Sequence, residues 1–227
     1  MADHQYEDAY HAWRLSLSTL MLDAPRLARW QERRFQFAHQ VGELLTMPFG
    51  GSPATTGPAL YGVFLAGVGL GYVGQTLEAD RRLRDLPVGE SHHLANTAPP
   101  EVWDRVVVVC WTDFLANIPE TEQTAATELG YGVCGLVLEH RLQLEFSPPL
   151  NSRRRHRSGE WRPRDHGQSR SRGAVNAHEL PELWREVRAT WQHLAAFPPP
   201  AGGTPILTTA AGRAVFPTAA LDGGLTE

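Results

Sequence analysis

Five glycines punctuate an apolar stretch between residues 59 and 74, and this pattern constrains the fold more than any other part of the chain. Residues 59–66 are apolar with aromatic side chains, which is typical of a buried strand. A glycine-rich turn, residues 67–71, leads into a second short run, residues 72–74, so the segment predicts a β-hairpin. The glycines also break up the longest apolar segment, which leaves no run of about 18 apolar residues for a membrane span.

The rest of the chain alternates between helical and extended patterns. Four consecutive valines predict a third strand at residues 104–111. Apolar residues at intervals of three and four predict helices in residues 5–46, 77–86, 121–146 and 179–197. We therefore expect an α+β fold in which a small three-stranded antiparallel sheet is flanked by helices, with a helical N-terminal arm and a C-terminal extension.

Changes in composition mark three predicted regions. A loop rich in proline and glycine closes the helical N-terminal arm, which covers residues 1–58. Residues 59–151 form the predicted central domain. Residues 152–227 comprise an arginine-rich segment, a helix and a tail that we expect to be loosely ordered, because it is rich in Pro, Gly, Ala and Thr.

The overall composition is that of an ordinary globular protein. The 227 residues are 42% hydrophobic and 20% charged, which excludes a wholly disordered or collagen-like chain. Two cysteines, Cys110 and Cys134, cannot form a disulfide framework, and residues 1–11 lack the pattern of a secretory signal. We therefore expect a cytoplasmic protein. All 21 basic residues are arginine, which suggests a bacterium with a GC-rich genome.

Positive charge is concentrated in one place. Residues 151–173 contain eight arginines and two acidic residues, a net charge of +6, so the remainder of the chain carries −10. Such a segment attracts polyanions, because neutralising phosphates releases condensed counterions. A solvated flexible loop is the alternative explanation of the same run.

Two interpretations of the glycine-rich hairpin compete. Residues 69–74 match GxGxxG, the fingerprint of dinucleotide-binding folds. That function also needs a helix facing the pyrophosphate and a second parallel strand, which ends in an acidic residue about 20 positions later. Residues 86–102 contain no apolar run able to form that strand, so the fingerprint lacks its second half.

The second interpretation covers more of the chain. Gly62-Val63-Phe64 and Tyr72-Val73-Gly74 are followed by Arg82, ten residues after Tyr72, and then by Glu139 and Asn151, twelve residues apart. In this order and spacing, the segment from residue 59 to residue 151 resembles the GIY-YIG nuclease family. The resemblance implies the predicted succession of strand, strand, helix, strand and helix, and an endonuclease that leaves 5′-phosphate and 3′-hydroxyl ends.

The residue types suit phosphodiester hydrolysis, which needs an activated water, a neutralised phosphate and a stabilised leaving oxygen. Glu139 is a carboxylate that can hold one Mg²⁺ or Mn²⁺, whose other ligands are waters and phosphate. Arg82 can bind the scissile phosphate with its planar guanidinium. The resemblance assigns Tyr72 to orienting or deprotonating the attacking water, while Asn151 would anchor the substrate backbone or the local loop.

The chain departs from the family pattern at three positions. Phe64 replaces the first tyrosine of the motif, Leu86 replaces a polar residue one turn after the arginine, and Gln75 follows the second motif. Tyr61 does not simply replace the missing phenol, because side chains three residues apart on a strand point to opposite faces. These departures leave open a catalytically weak or inactive protein that binds nucleic acid.

DNA is the expected partner. We expect it to contact arginines near the catalytic residues and after Asn151, namely Arg81, Arg84, Arg153, Arg154, Arg155 and Arg157. A restriction, mobile-element or repair nuclease would fit this arrangement equally well. A double-strand break requires two copies of a small active site or two successive nicks, so a homodimer is one expected form.

Overall fold

The computed structural model describes residues 2–90, 93–151, 153–155, 158, 160–199 and 205–224. The chain divides into two compact units, Met1–Gln40 and Val41–Glu227. Helix α1 (Ala2–Leu20) lies in the first unit, and helix α2 (Ala24–Thr46) begins there and ends in the second. The start of α2 is capped by Asp23, whose Oδ1 accepts a hydrogen bond from the Arg26 amide at 2.7 Å. The predicted helical segment 5–46 is thus confirmed as two helices.

Helix α1 carries exposed aromatic residues. The rings of Tyr6 and Tyr10 stack with centroids 6.4 Å apart, and those of Tyr10 and Trp13 lie 5.5 Å apart. Within the described part of the chain, no helix combines the length and the apolar character required to cross a membrane.

The second unit is built on a five-stranded antiparallel sheet. The described residues contain seven strands, of which five form this sheet. The strands are β1 (Ala59–Leu65), β2 (Gly69–Thr76), β3 (Trp103–Val109), β4 (Arg153–Arg155), β5 (Trp161–Pro163), β6 (Ile206–Thr209) and β7 (Gly212–Val215). Their order in the central sheet is β2-β1-β3-β7-β6, while β4 and β5 pair separately. The α+β class is confirmed, but the prediction of three strands is wrong. The segment predicted to be loosely ordered supplies the two additional strands: β7 pairs with β3, and β6 pairs with β7.

Helices surround this sheet. They are α3 (Ala79–Val88), α4 (Leu94–Thr97), α5 (Glu120–Leu129), α6 (Tyr131–Phe146), α7 (Arg172–Val175), α8 (Pro181–Ala196) and α9 (Pro217–Gly224), with short 3₁₀ helices at Pro100–Val102 and Trp111–Asn117. The predicted helix 121–146 is divided in two at Gly130, whose φ of 74° ends α5. Helix α6 ends at Ser147, which adopts a left-handed conformation before two prolines.

One face of the sheet packs against α6 and α8. Its core includes Leu60, Val107 and Ala214, which lie on adjacent strands. The indole of Trp191 from α8 lies so close to Gly62 that a Cβ there would be 2.4 Å from a ring carbon. Only glycine therefore allows the helix to approach β1 at this point.

Charged side chains from other elements form hydrogen bonds with the backbone at both ends of α8. The Glu122 carboxylate, on α5, accepts hydrogen bonds from the amides of Glu182 and Leu183 at 3.0 and 2.7 Å. At the other end, the Arg105 guanidinium donates to the carbonyls of Ala195 and Phe197 at 2.5 and 2.6 Å. An anion at the N-terminus and a cation at the C-terminus both stabilise a helix dipole.

Tyr61, Val108 and Arg213 occupy the opposite face, where they lie directly across from one another on β1, β3 and β7. The buried Arg213 guanidinium donates to the carbonyls of Leu44, Met47 and Pro53 at 3.1, 2.7 and 2.8 Å. These bonds attach the sheet to the end of α2 and to the loop that follows it.

Candidate active site

A β-bulge in the first hairpin positions the candidate site. The pairing of β1 with β2 shifts by one residue between Val63 and Phe64, so that Val63 lies opposite Tyr72 and Gly71 is the extra residue. A shift of one residue moves a side chain to the other face of a sheet. The bulge therefore places Tyr72 on the face that carries Tyr61.

The two tyrosines form a pair. Their ring centroids are 6.2 Å apart, and a hydrogen bond joins the two phenols. Tyr61 is buried and lies across Gly74 of the neighbouring strand, where a Cβ would be 2.6 Å from its Cζ and Oη. The last glycine of the Tyr72-Val73-Gly74 motif thus provides space for the second phenol.

Tyr61 is the candidate site residue that the sequence interpretation missed. Phe64 points to the other face of the sheet, where its ring centroid is 6.4 Å from that of Trp191 and 5.9 Å from the Arg105 guanidinium carbon. Tyr61 and Phe64 do point in opposite directions, as expected, but Tyr61 is the one that shares a face with Tyr72. The pairing register of the hairpin decides which residues share a face with Tyr72. The bulge changes that register, so the sequence spacing alone did not identify Tyr61.

Arg82 and Glu139 complete the cluster from two helices. Arg82 is half-buried on α3, and Glu139 is partly buried on α6. The positive charge of Arg82 and the negative charge of Glu139 each influence the pKa of both Tyr61 and Tyr72. The structure therefore brings together three of the residues predicted from sequence, Tyr72, Arg82 and Glu139, and adds Tyr61.

The Glu139 carboxyl has an unusual environment. Burial raises its pKa to about 7 from an ordinary value of 4.5, and this effect exceeds two that lower the pKa, the nearby charge of Arg164 and a hydrogen bond from Gln143. The Gln143 Nε2 donates to Glu139 Oε1 at 2.8 Å. A carboxylate in such a place is stabilised by an additional cation.

Both phenols remain protonated near neutral pH. Burial raises the pKa of Tyr61 to about 12, although Arg82 and the bond to Tyr72 lower it. Burial raises the pKa of Tyr72 as well, and the proximity of Tyr61 and Glu139 raises it further. Neutral phenols donate hydrogen bonds, so in this state the pair can orient water or phosphate oxygens.

Asn151 supports β2 from its outer edge. Its Oδ1 accepts from the Val73 amide at 2.8 Å, and its Nδ2 donates to the Val73 carbonyl at 2.9 Å. The neighbouring Leu150 amide donates to the Gly71 carbonyl at 3.0 Å. Of the two roles expected for Asn151, this geometry corresponds to anchoring of the local chain.

The arginines predicted to bind DNA lie in different environments. Arg81 is exposed and pairs with Glu78 at 2.7 Å. Arg84 is exposed, and its Nε donates to Thr46 Oγ1 at 3.4 Å. Arg153, Arg154 and Arg155 form strand β4, of which the backbone is described, and Arg157 lies outside the described residues. Leu86, at the position where the family has a polar residue, is fully buried.

A metal ion at this site would depend on Glu139. Among the described residues there is no group of three or more His, Cys, Asp or Glu side chains placed to hold a metal. A single carboxylate nevertheless fits Mg²⁺, which keeps several water ligands and commonly binds proteins through one or two carboxylates plus substrate phosphate. The burial of Glu139 also fits, since a bound cation would offset the cost of ionising it.

The glycines of GxGxxG do not form a nucleotide-binding turn. Gly69, Gly71 and Gly74 all lie within β2, which pairs antiparallel with β1. A dinucleotide fingerprint requires a turn from a strand into a helix, with the helix N-terminus facing the pyrophosphate. The dinucleotide interpretation is therefore wrong in its structural premise.

Comparison of the chain with protein-family models, with curated proteins and with solved structures gives no match. The chemistry of the site is therefore inferred from its own side chains. These are two hydrogen-bonded phenols, one guanidinium and one carboxylate with a raised pKa.

Proposed function

We propose that the protein is a metal-dependent DNA endonuclease of the GIY-YIG type, which hydrolyses phosphodiester bonds. The observation that carries this proposal is the convergence of Tyr61, Tyr72, Arg82 and Glu139 from two strands and two helices. These groups are separated by up to 78 residues in sequence. Their combination provides donors, a fixed positive charge and a metal ligand in one place.

Arg82 is the residue we assign to the scissile phosphate. A guanidinium can donate two parallel hydrogen bonds to phosphate oxygens, and its charge stabilises the negative charge that grows during hydrolysis. The half-buried position of Arg82 strengthens that interaction, because the effective dielectric is lower than in water. Removal of this cation would therefore reduce both substrate binding and turnover.

The tyrosine pair would orient the attacking water. Both phenols have raised pKa values, so at neutral pH they act first as hydrogen-bond donors and positioning groups. Glu139 would hold Mg²⁺ or Mn²⁺, and the bound ion would supply Lewis-acid stabilisation of the phosphate and lower the pKa of nearby groups. Asn151 keeps β2, and with it Tyr72, in position.

Nicking of supercoiled plasmid in Mg²⁺ or Mn²⁺ tests the proposal. We expect wild-type protein to nick the plasmid, and Glu139→Gln to lose activity by about 100-fold or more, as when a group that stabilises the transition state is removed. Glu128→Gln, at an exposed carboxylate on α5, is the control for the loss of one negative charge. Undiminished nicking by Glu139→Gln would exclude the assigned site.

One observation favours a second candidate, a nucleic-acid-binding protein without catalysis. Leu86 is completely buried at the position where the family has a polar residue, and its apolar side chain provides no polar group to the site. This alternative predicts salt-sensitive DNA binding by the wild type and no nicking with any divalent ion. The plasmid assay therefore separates the two candidates, and sequencing of the ends of any cleaved DNA shows whether one or both strands are cut.

A further inference from the structure

A polar groove lies beside α6 and is formed by the segment after β5. Two cavities of about 350 and 540 Å³ share Pro163, Arg164 and Asp165 in their walls. The first extends to His166 and the second to Arg170. Because the cavities adjoin, we describe them together as the 163–171 groove.

The ionisable groups that line this groove give it a positive balance. Arg164 and Arg170 contribute two positive charges, and Asp165 contributes one negative charge. The Asp165 Oδ1 accepts hydrogen bonds from the amides of Gly167 and Gln168 at 2.9 and 3.2 Å. That carboxylate oxygen is therefore engaged in shaping the turn, and Arg164 and Arg170 both line the second cavity.

His166 provides an independent indication of a ligand. Its side chain is only 6% exposed, and neither ring nitrogen has a hydrogen-bond partner among the described residues. A neutral imidazole always carries one N–H, so the described residues leave a buried donor unsatisfied. His166 lines the first cavity, but both nitrogens are covered in this structure, so its ring would have to turn on binding for a nitrogen to reach an acceptor such as a phosphate oxygen.

The groove also adjoins the candidate active site. Arg164 is the nearby charge that lowers the pKa of Glu139, and it also interacts electrostatically with His140, the next residue on α6. A nucleic-acid strand whose scissile phosphate lay at Glu139 would therefore have its neighbouring phosphates near Arg164.

We propose that the 163–171 groove binds the DNA backbone on one side of the scissile bond, with Arg164, His166 and Arg170 contacting successive phosphates. This inference rests on the proposed function and adds a binding track distinct from the arginines of β4. Arginine and imidazole N–H groups are suitable donors to phosphate oxygens, and such contacts fix register without selecting sequence. The partner is accordingly duplex DNA, bound through its phosphates.

Salt-dependent binding of a fluorescein-labelled 20-base-pair DNA duplex tests this groove. Full-length protein is titrated in EDTA, which prevents cleavage, at several NaCl concentrations. Each of Arg164→Gln and Arg170→Gln should reduce the slope of log K against log [NaCl] by about 0.9, the value for one lost phosphate contact. Arg185→Gln, on the exposed side of α8, is the matched control and should keep the wild-type slope.

His166→Phe separates ligand binding from packing. The substitution keeps a planar ring and removes both nitrogens, so we expect several-fold weaker DNA binding while the urea midpoint stays within error of the wild type or rises. Unchanged affinity in His166→Phe, together with unchanged slopes in the two arginine variants, would overturn the proposal. Preferential binding of an RNA duplex of the same sequence would overturn the choice of DNA.

Plasmid nicking by the same preparations distinguishes this inference from the proposed enzyme function. If the wild type nicks DNA and Glu139→Gln does not, but the salt slopes are identical, the groove is refuted and the active site stands. If the slopes change but no preparation nicks DNA, the groove stands and the nuclease proposal fails. Absence of DNA binding by the wild type refutes the groove, and absence of nicking as well refutes both proposals.

Discussion

Replacement of Glu139 by glutamine should stabilise the protein at neutral pH when no divalent ion is bound. The carboxyl releases its proton near pH 4.5 in the unfolded chain but near pH 7 in the folded protein, because burial disfavours the charged form. Between these values the folded state binds more protons than the unfolded state. The free energy of unfolding contributed by this group therefore falls as pH rises, by about 1.4 kcal/mol per unit.

The size of the effect follows from the two pKa values. A difference of about 2.5 units corresponds to about 3 kcal/mol, lost between pH 4.5 and pH 7 and constant above that range. Glutamine has nearly the same shape and remains neutral throughout. The stability of Glu139→Gln relative to wild type should therefore rise by about 3 kcal/mol from pH 4.5 to pH 8.

Urea unfolding at intervals of half a pH unit, in EDTA, measures this difference. Glu128→Gln controls for the loss of a negative charge at an exposed position. Addition of Mg²⁺ at pH 8 should then stabilise wild-type protein, by about 2.7 kcal/mol at 100 times Kd, and leave Glu139→Gln unchanged. Parallel pH profiles for wild type and Glu139→Gln would refute the argument that Glu139 lies in a desolvated site.

Three further predictions follow from the packing. Glu122→Ala should lower the free energy of unfolding by about 3 kcal/mol in urea, because it removes a carboxylate that accepts two amides at the start of α8; an effect below 1 kcal/mol would contradict that role. Gly74→Ala should lower the free energy of unfolding by about 1–3 kcal/mol and impair nicking, because the added methyl group displaces Tyr61. Gly132→Ala should leave the free energy of unfolding unchanged or raise it, because its Cβ would meet its nearest neighbour at 3.9 Å. Tyr61→Phe should reduce the nicking rate by about 100-fold, while Tyr131→Phe, at an exposed position, should keep the wild-type rate. A wild-type nicking rate in Tyr61→Phe would show that the Tyr61 hydroxyl has no role in the reaction.

Local sequence patterns were sufficient for the main elements of the fold. Four valines predicted β3, because consecutive β-branched residues favour extended backbone. The glycine-rich turn predicted the first hairpin, and three-residue and four-residue spacing predicted α3 and α8. Each of these signals lies within about 20 residues of sequence, so no distant partner was needed to recognise it.

The two strands of the central sheet that the sequence analysis missed depend on a distant strand. Strands β6 and β7 have four residues each and lie in a segment rich in threonine, alanine, glycine and proline. Strand β7 is stabilised by pairing with β3, which is about 100 residues earlier in the chain, and β6 pairs in turn with β7. Such short strands carry little intrinsic preference, because β propensity largely reflects packing against neighbours.

The tyrosine pair shows why the site was only partly predictable. In a regular continuation of the pairing at Phe64, Tyr72 would lie opposite Gly62 and share a face with Phe64. The extra residue at Gly71 instead turns Tyr72 toward Tyr61, and a glycine at position 74 makes room for both rings. A motif comparison counts residues along the chain, whereas strand register decides which side chains share the face of the candidate site. Phe64 therefore indicates no loss of a phenol from the site, and the departures from the family pattern that remain are Gln75 and the buried Leu86.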